Sequence, residues 1–273
     1  MKSFALALGG GGARGLAHVV VLEALDELGI KPRAVAGSSI GAVIGAAYAA
    51  GMGGRDIRRY VIALAHNRAE VLRRLITARA GGFKDMFTAG LGGAPLIDAE
   101  LFCAKFLPDV VPDDFSALQM PLIVIASDLY RRKESVFSQG PLKAALAASI
   151  ALPGLVRPVV VDGRVLVDGG ATNPLPFDHL RGRADAVIAV DIAGLPTEDR
   201  RDLPNAWECL ATTVLVMGNT IISEKLKHGA PDLLVKPNVG LFRTLDFFQA
   251  SAILRAAEPV KTEIKERLGA LLA

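Results

Sequence analysis

The chain has 273 residues, 51% of them apolar, with 31 basic against 28 acidic side chains and a net charge of +3. That length and apolar content build a large hydrophobic core and exclude a disordered or fibrous chain. Balanced charge and the lack of an aromatic-rich basic stretch exclude recognition of nucleic acid by electrostatics and stacking.

Ser3–Leu8 is too short an apolar run for a signal peptide, since four glycines and Arg14 follow it at once. No stretch reaches the roughly 18–20 apolar residues of a membrane span. A soluble, cytoplasmic protein is expected. Cys103 and Cys209 lie far apart, without Cys-x-x-Cys spacing or a histidine cluster. Two buried thiols are therefore expected, with no zinc site.

Phe4–Leu8 reads as a buried strand running into Gly9-Gly10-Gly11-Gly12. A helix follows, with Ala17, Val21, Ala24, Leu25 and Leu28 on its apolar stripe and Glu23, Asp26 and Glu27 off it. Gly29 stops it and Pro32 lies beyond. Ala34–Ala36 is the next strand; Gly37-Ser38-Ser39-Ile40-Gly41 then turns into an Ala-rich helix ending near Gly51. Residues 55–79 have a helical pattern with seven arginines: Arg55, Arg58, Arg59, Arg68, Arg73, Arg74 and Arg79. Residues 81–95, glycine-rich with Phe83, Met86, Phe87 and Leu91, have the composition of a mouth loop.

Leu122–Ala126 reads as a strand and Leu142–Ile150 as a helix stopped by Pro153-Gly154. Val159–Val161 and Val165–Val167 flank Asp162-Gly163 as a hairpin that ends in Asp168-Gly169-Gly170. Val187–Val190 is another buried strand. Ile253, Ala257, Val260, Ile264 and Leu268 keep helical spacing across a break at Pro259. Alternating strands and helices predict a mainly parallel sheet covered by helices, in one domain over 1–273.

Gly37–Gly41 is a G-x-S-x-G centred on Ser39. A serine on a tight strand-to-helix turn projects its hydroxyl out of the fold, and the flanking glycines let strand and helix approach. The helix that comes next directs its positive end at the serine. Ser38 lies off the pattern and is expected to pack or cap. Gly9–Gly15, GGGGARG, exposes backbone N–H groups at a helix start, which makes an anion site. A dinucleotide fold would use Gly10, Gly12 and Gly15, but it also needs an acidic residue ending the second strand, and Gly37-Ser38-Ser39 stands there. A nucleotide phosphate loop needs Gly-Lys-Ser/Thr, which is absent. An oxyanion hole needs only backbone donors, and it suits a neighbouring nucleophile. A plain strand–helix turn is the structural alternative. Arg14 either orients the loop or is solvated.

Ser39 needs a base. Of His18, His66, His179 and His228, His18 is the best stand-in, one turn into the first helix. Asp168 competes with it, ending a strand and followed by two glycines, although Asp-Gly is also a common turn. An aspartate of ordinary pKa, about 3.9, is a weak base for a serine.

GGGGARG at 9–15, GSSIG at 37–41 and DGG at 168–170 together resemble the patatin-like phospholipases in order and spacing. ASIALPGLVRP at 148–158 is similar to the segment that precedes the DGG motif in that family, and Asn173-Pro174-Leu175-Pro176 is similar to the family's segment just after it. The resemblance implies a three-layer α/β/α fold. It makes Ser39 the nucleophile and Asp168 the base, with Gly10, Gly11 and Gly12 as the oxyanion hole and Arg14, Gly15, Gly37, Gly41, Gly169 and Gly170 supporting the motifs. It implies hydrolysis of acyl esters of phospholipids, lysophospholipids or related lipids through an acyl-enzyme, with no metal or organic cofactor. The departures are Gly9, where some members carry an acid, and Leu155-Val156-Arg157, where many have an aromatic-proline stretch. A nucleotide-binding module on the glycine loop and a non-catalytic interaction protein are the rival readings. The seven arginines of 55–79, against only Asp56 and Glu70 in that segment, read either as a solvated helix face or as a surface for peripheral contact with anionic membranes.

Overall fold

The structure is a computed structural model that describes residues 2–78, 96–193, 203 and 206–272. Arg79 and the expected mouth loop at 81–95 lie outside the described residues. In chain order the first elements are β1 (Phe4–Leu8), α1 (Ala17–Glu27), β2 (Val35–Ser38), α2 (Ile40–Ala49), α3 (Gly54–His66), α4 (Arg68–Thr77) and α5 (Ala99–Phe106). Next come β3 (Leu122–Asp128), β4 (Lys133–Phe137), α6 (Leu142–Ser149), β5 (Val159–Val161), β6 (Arg164–Asp168) and β7 (Ala186–Val190). The C-terminal elements are α7 (Ala206–Lys227), β8 (Leu233–Val235), α8 (Ala250–Ala257) and α9 (Val260–Leu272).

The sheet order is β5-β6-β3-β2-β1-β7-β8, with β4 also on β3. β3, β2, β1, β7 and β8 are mutually parallel, whereas β4, β6 and β5 pair antiparallel. Strand side chains alternate between faces, and here both faces are covered. Phe4, Leu6 and Leu8 of β1 enter one apolar cluster with Val35, Val124 and Ile188. Ala5 and Ala7 enter another with Ala36, Ile125 and Val187. α1, α2, α6, α8 and α9 close the first cluster; Phe177 and Leu180 of the turn before β7, with Ile222 of α7, close the second. The result is the expected three-layer α/β/α fold.

Several expectations are corrected. The helical stretch from 55 breaks at Asn67, whose side chain accepts the Glu70 N–H and caps α4; such a cap costs less than continuing the helix through a residue that competes for its own backbone. Glu23, expected on the solvent side of α1, is buried because α3 and α9 pack over it and bring Arg58 and Lys261. Cys103 is buried and burial pushes its thiol up to about 12, but Cys209 is exposed; neither is in a disulfide. Strands β4 and β8 and helices α5 and α7 have no counterpart among the elements expected from the sequence. The 159–167 hairpin forms as expected, with Asp162 and Gly163 at φ 50° and 71°, the positive pair of a type I′ turn.

Candidate active site

β3 carries two strands that run toward each other. β2 lies parallel along it and ends with Ser38 opposite Ile125. β6 lies antiparallel and ends with Asp168 opposite Ala126, the next residue. Two strand ends thus converge on consecutive positions of one strand, and Ser39 and Asp168, 129 residues apart in the chain, meet. The Ser39 hydroxyl donates to Asp168 Oδ2 at 2.6 Å.

Ser39 stands at φ 53°, ψ −126°, a strained conformation for a residue with a side chain, costing about 1–3 kcal/mol. The surroundings enforce it. A Cβ on Gly41 would lie 2.2 Å from the Leu8 carbonyl oxygen and one on Gly37 2.5 Å from the Ala42 nitrogen. The strand therefore turns into α2 only through glycines, and Ser39 is pushed out at the crest, at the positive end of that helix.

Ser149 carries a role that the sequence does not announce. Its buried hydroxyl accepts the Ser39 N–H at 2.9 Å and donates to the Ile125 carbonyl at 2.6 Å. Two residues on, the Ala151 carbonyl accepts the Asp168 N–H at 3.0 Å. One short segment at the end of α6 therefore holds the backbone of both partners. Ser149 lies within the 148–158 stretch, but no local signal marks its hydroxyl. Ser38 is fully buried; its hydroxyl has no partner among the described residues and packs where a Cβ on Gly169 would lie.

Asp168 is 7% exposed. Burial pushes its pKa up to about 6; the Ser39 hydroxyl and the Gly170 N–H (2.7 Å to Oδ1) only partly counter this. The sequence-based expectation of an ordinary carboxyl is thus corrected: no cation among the described residues pairs with it, and desolvation dominates. Ser127 fixes the Asp168 carbonyl at 2.8 Å.

His18, the other base considered, faces elsewhere. It is fully buried, donates from Nε2 to the Gly9 carbonyl at 2.8 Å, and burial lowers its pKa to about 4. A neutral His18 thus anchors the glycine loop. Arg14 is buried too and donates to the carbonyls of Gly11 and Ala193, so it orients the loop. Of the three expected oxyanion donors, Gly10 is corrected: its N–H is taken by the Pro174 carbonyl at 2.9 Å. The N–H groups of Gly11 and Gly12 have no acceptor among the described residues.

Pro174 is held in turn by its neighbour. Buried Asn173 donates to Glu134 and Asp178 at 3.1 and 3.2 Å and accepts from Lys225 at 2.7 Å. Glu134, Asp178 and His179 bring metal-type donor atoms within 4.8 Å of one another. The Lys225 ammonium, which bonds Asp178, already supplies a positive charge there. Burial would raise the Asp178 pKa, but Lys225 and Asn173 outweigh it and the pKa is lowered. This cluster braces the loop that positions Gly10.

A helix-covered, mainly parallel sheet with a glycine turn and a G-x-S-x-G elbow at its strand ends defines an α/β protein of the three-layer class. The chain matches the family model "Patatin-like phospholipase" over residues 6–181, and it belongs to that family. An "Uncharacterized NTE family protein" of Mycobacterium tuberculosis is 38% identical over 199 residues, 72% of this chain and 51% of the relative. The chain thus spans about half the length of that relative. "Patatin-like phospholipase domain-containing protein 7" of Rattus norvegicus is 30% identical over 90% of this chain and 19% of its own length. VipD from Legionella pneumophila shares the fold, with a TM-score of 0.54 at 17% identity over 97% of this chain and 67% of VipD. Among the described residues, no helix is long and apolar enough to cross a membrane.

Proposed function

We propose that this chain is a serine acyl hydrolase that cleaves carboxylic esters of phospholipids or lysophospholipids with a Ser39–Asp168 dyad. The observation that carries the reading is the 2.6 Å hydrogen bond from the Ser39 hydroxyl to a buried carboxylate with no pairing cation among the described residues. A carboxylate in that setting takes a proton more readily than an exposed one, which brings it closer to a working base at neutral pH.

Asp168 accepts the proton as Ser39 Oγ attacks the ester carbonyl. The oxygen that becomes negative is met by the N–H groups of Gly11 and Gly12 and by the positive end of α2. Asp168 returns the proton to the departing alcohol, leaving an acyl-serine. Water, deprotonated by the same carboxylate, then releases the fatty acid. The family's description as phospholipases supports the substrate class. No observation favours a nucleotide: the first residue after β2 is a serine bonded to an aspartate, not an acid free to hold a ribose.

The test is hydrolysis of p-nitrophenyl esters and of phospholipid by the wild type, Ser39→Ala and Ser38→Ala. Ser39→Ala is expected to abolish hydrolysis and Ser38→Ala to retain most of it. Full activity in Ser39→Ala removes the dyad.

A further inference from the structure

Residues 241–249 lie against the glycine loop and turn large apolar side chains to solvent. The Thr244 carbonyl accepts the Ala13 N–H at 2.8 Å, and a Cβ on Gly12 would lie 2.2 Å from that same oxygen. The backbone of this stretch is thus pinned beside the Gly11 and Gly12 N–H groups, which have no acceptor among the described residues. Phe242 packs against the core, but four of its neighbours point away from it: Leu241, Leu245, Phe247 and Phe248 keep 41 to 73% of their surface exposed. Scattered exposed leucines are ordinary, but four large apolar residues within eight positions form a patch of the kind that marks an interaction surface.

α4 extends the patch. Arg68, Leu72 and Ile76 are spaced at i, i+4 and i+8, hence along one stripe of that helix. All three are exposed, the two apolar ones by more than half. The stripe joins the first segment where the Arg68 guanidinium stands 5.3 Å from the centre of the Phe248 ring. Arg68 has no carboxylate partner among the described residues, unlike Arg73 and Arg74, which share Glu70. α4 as a whole carries three arginines against that one glutamate. An aromatic side chain under a guanidinium suits the boundary of a bilayer, with the ring among acyl chains and the cation at phosphate height.

We propose that Leu241–Phe248 and the Arg68–Leu72–Ile76 stripe form a lip that seats the protein on an anionic phospholipid surface, with the glycine loop facing the ester carbonyls. The lip rests on the acyl-hydrolase reading for its purpose but not for its test. The basic stripe selects an anionic lipid surface over a neutral one. The apolar segment gives attachment that salt alone does not reverse. A second copy of this chain is the competing occupant.

Sedimentation with vesicles separates these outcomes. The Ser39→Ala protein, used so that lipid is not consumed, is mixed with phosphatidylglycerol–phosphatidylcholine vesicles and with phosphatidylcholine alone. The lip predicts binding to the mixed vesicles at least about tenfold tighter than to the neutral ones. Adding Phe247→Ser and Phe248→Ser should weaken it about tenfold, and Arg68→Gln should remove most of the preference for anionic lipid. On the active-serine background, hydrolysis of soluble p-nitrophenyl butyrate by the double variant should stay near wild type, which establishes its fold. Arg68→Gln, a single exposed change, keeps the test decisive if the double variant misfolds. Vesicle binding indifferent to these substitutions overturns the lip, and so does a wild-type dimer that the double variant dissociates. Vesicle binding without any ester hydrolysis by the wild type would instead overturn only the acyl-hydrolase reading.

Discussion

Asp168 and Glu23 are both buried carboxylates, and their surroundings are opposite. Glu23, on α1, receives the Arg58 guanidinium at 2.6 and 2.7 Å and the Lys261 ammonium at 2.8 Å. Burial alone would raise its pKa, but the two cations outweigh it and hold it below the usual carboxylate range. Among the described residues Asp168 receives only the Ser39 hydroxyl and the Gly170 N–H, and burial lifts it to about 6. A buried carboxylate pinned by cations ties α1, α3 and α9 together and has no use for a proton. A buried carboxylate given only neutral donors stores free energy that protonation releases, which is what a base requires. The comparison separates a structural corner from a chemical one by what faces the charge, not by depth.

The comparison is tested hardest by Asp168→Asn. Turnover of p-nitrophenyl esters should fall by about 10³–10⁴-fold, because the amide cannot take the proton. Stability should move the other way. A carboxyl whose folded pKa is raised from 3.8 to about 6 contributes to stability below the lower value and loses that contribution as pH rises through the upper one. At pH 8 the asparagine variant should therefore melt at or above the wild type, by up to about 2–3 kcal/mol. Lower stability at pH 8 than at pH 4, relative to wild type, would place Asp168 with Glu23.

Ser149→Ala sharpens the chemical side. It removes the acceptor for the Ser39 N–H while leaving both dyad side chains in place. We expect kcat to fall about 10–100-fold with KM little changed, since misplacing a nucleophile by a fraction of an ångström acts on the transition state. Equal loss in KM would instead point to a collapsed pocket. Glu23→Gln probes the structural side with the smallest effect on chemistry. Denaturant melts should show about 1–3 kcal/mol lost, less than for a fully buried pair because Arg58 and Lys261 are partly exposed. Ester hydrolysis at 20 °C should stay close to wild type; a large drop would mean that the α1 corner is coupled to the site.

Local chemistry makes part of this readable in the sequence. A glycine turn, a serine between glycines and an Asp-Gly-Gly each carry their reason within a few residues. β1, β2, β3, β7 and the 159–167 hairpin are marked by short apolar runs and turn residues. The meeting of Ser39 and Asp168 is not local: it arises because β2 and β6 end on Ile125 and Ala126, a register no segment announces by itself. Glu23 reads as exposed for the same reason, since the helices that bury it come more than 30 and more than 230 residues later. Gly10 reads as an oxyanion donor because its acceptor, Pro174, is equally remote. β4 reads Lys133-Glu134-Ser135-Val136-Phe137, too polar for a buried strand, and it forms because β3 offers it an edge. The break at Asn67 is legible in principle: Asn67 with Glu70 three residues on is a helix-start pattern, masked by the longer periodic stretch around it.

The central claim is that Ser39 is a nucleophile activated by a carboxylate of raised pKa, and fluorophosphonate labelling tests it most directly. The label should appear on the peptide carrying Ser39, at a rate that climbs as pH rises through about 6 and levels above it. It should vanish in Ser39→Ala and nearly vanish in Asp168→Asn. A label on another serine, or one that persists in Ser39→Ala, would contradict the account.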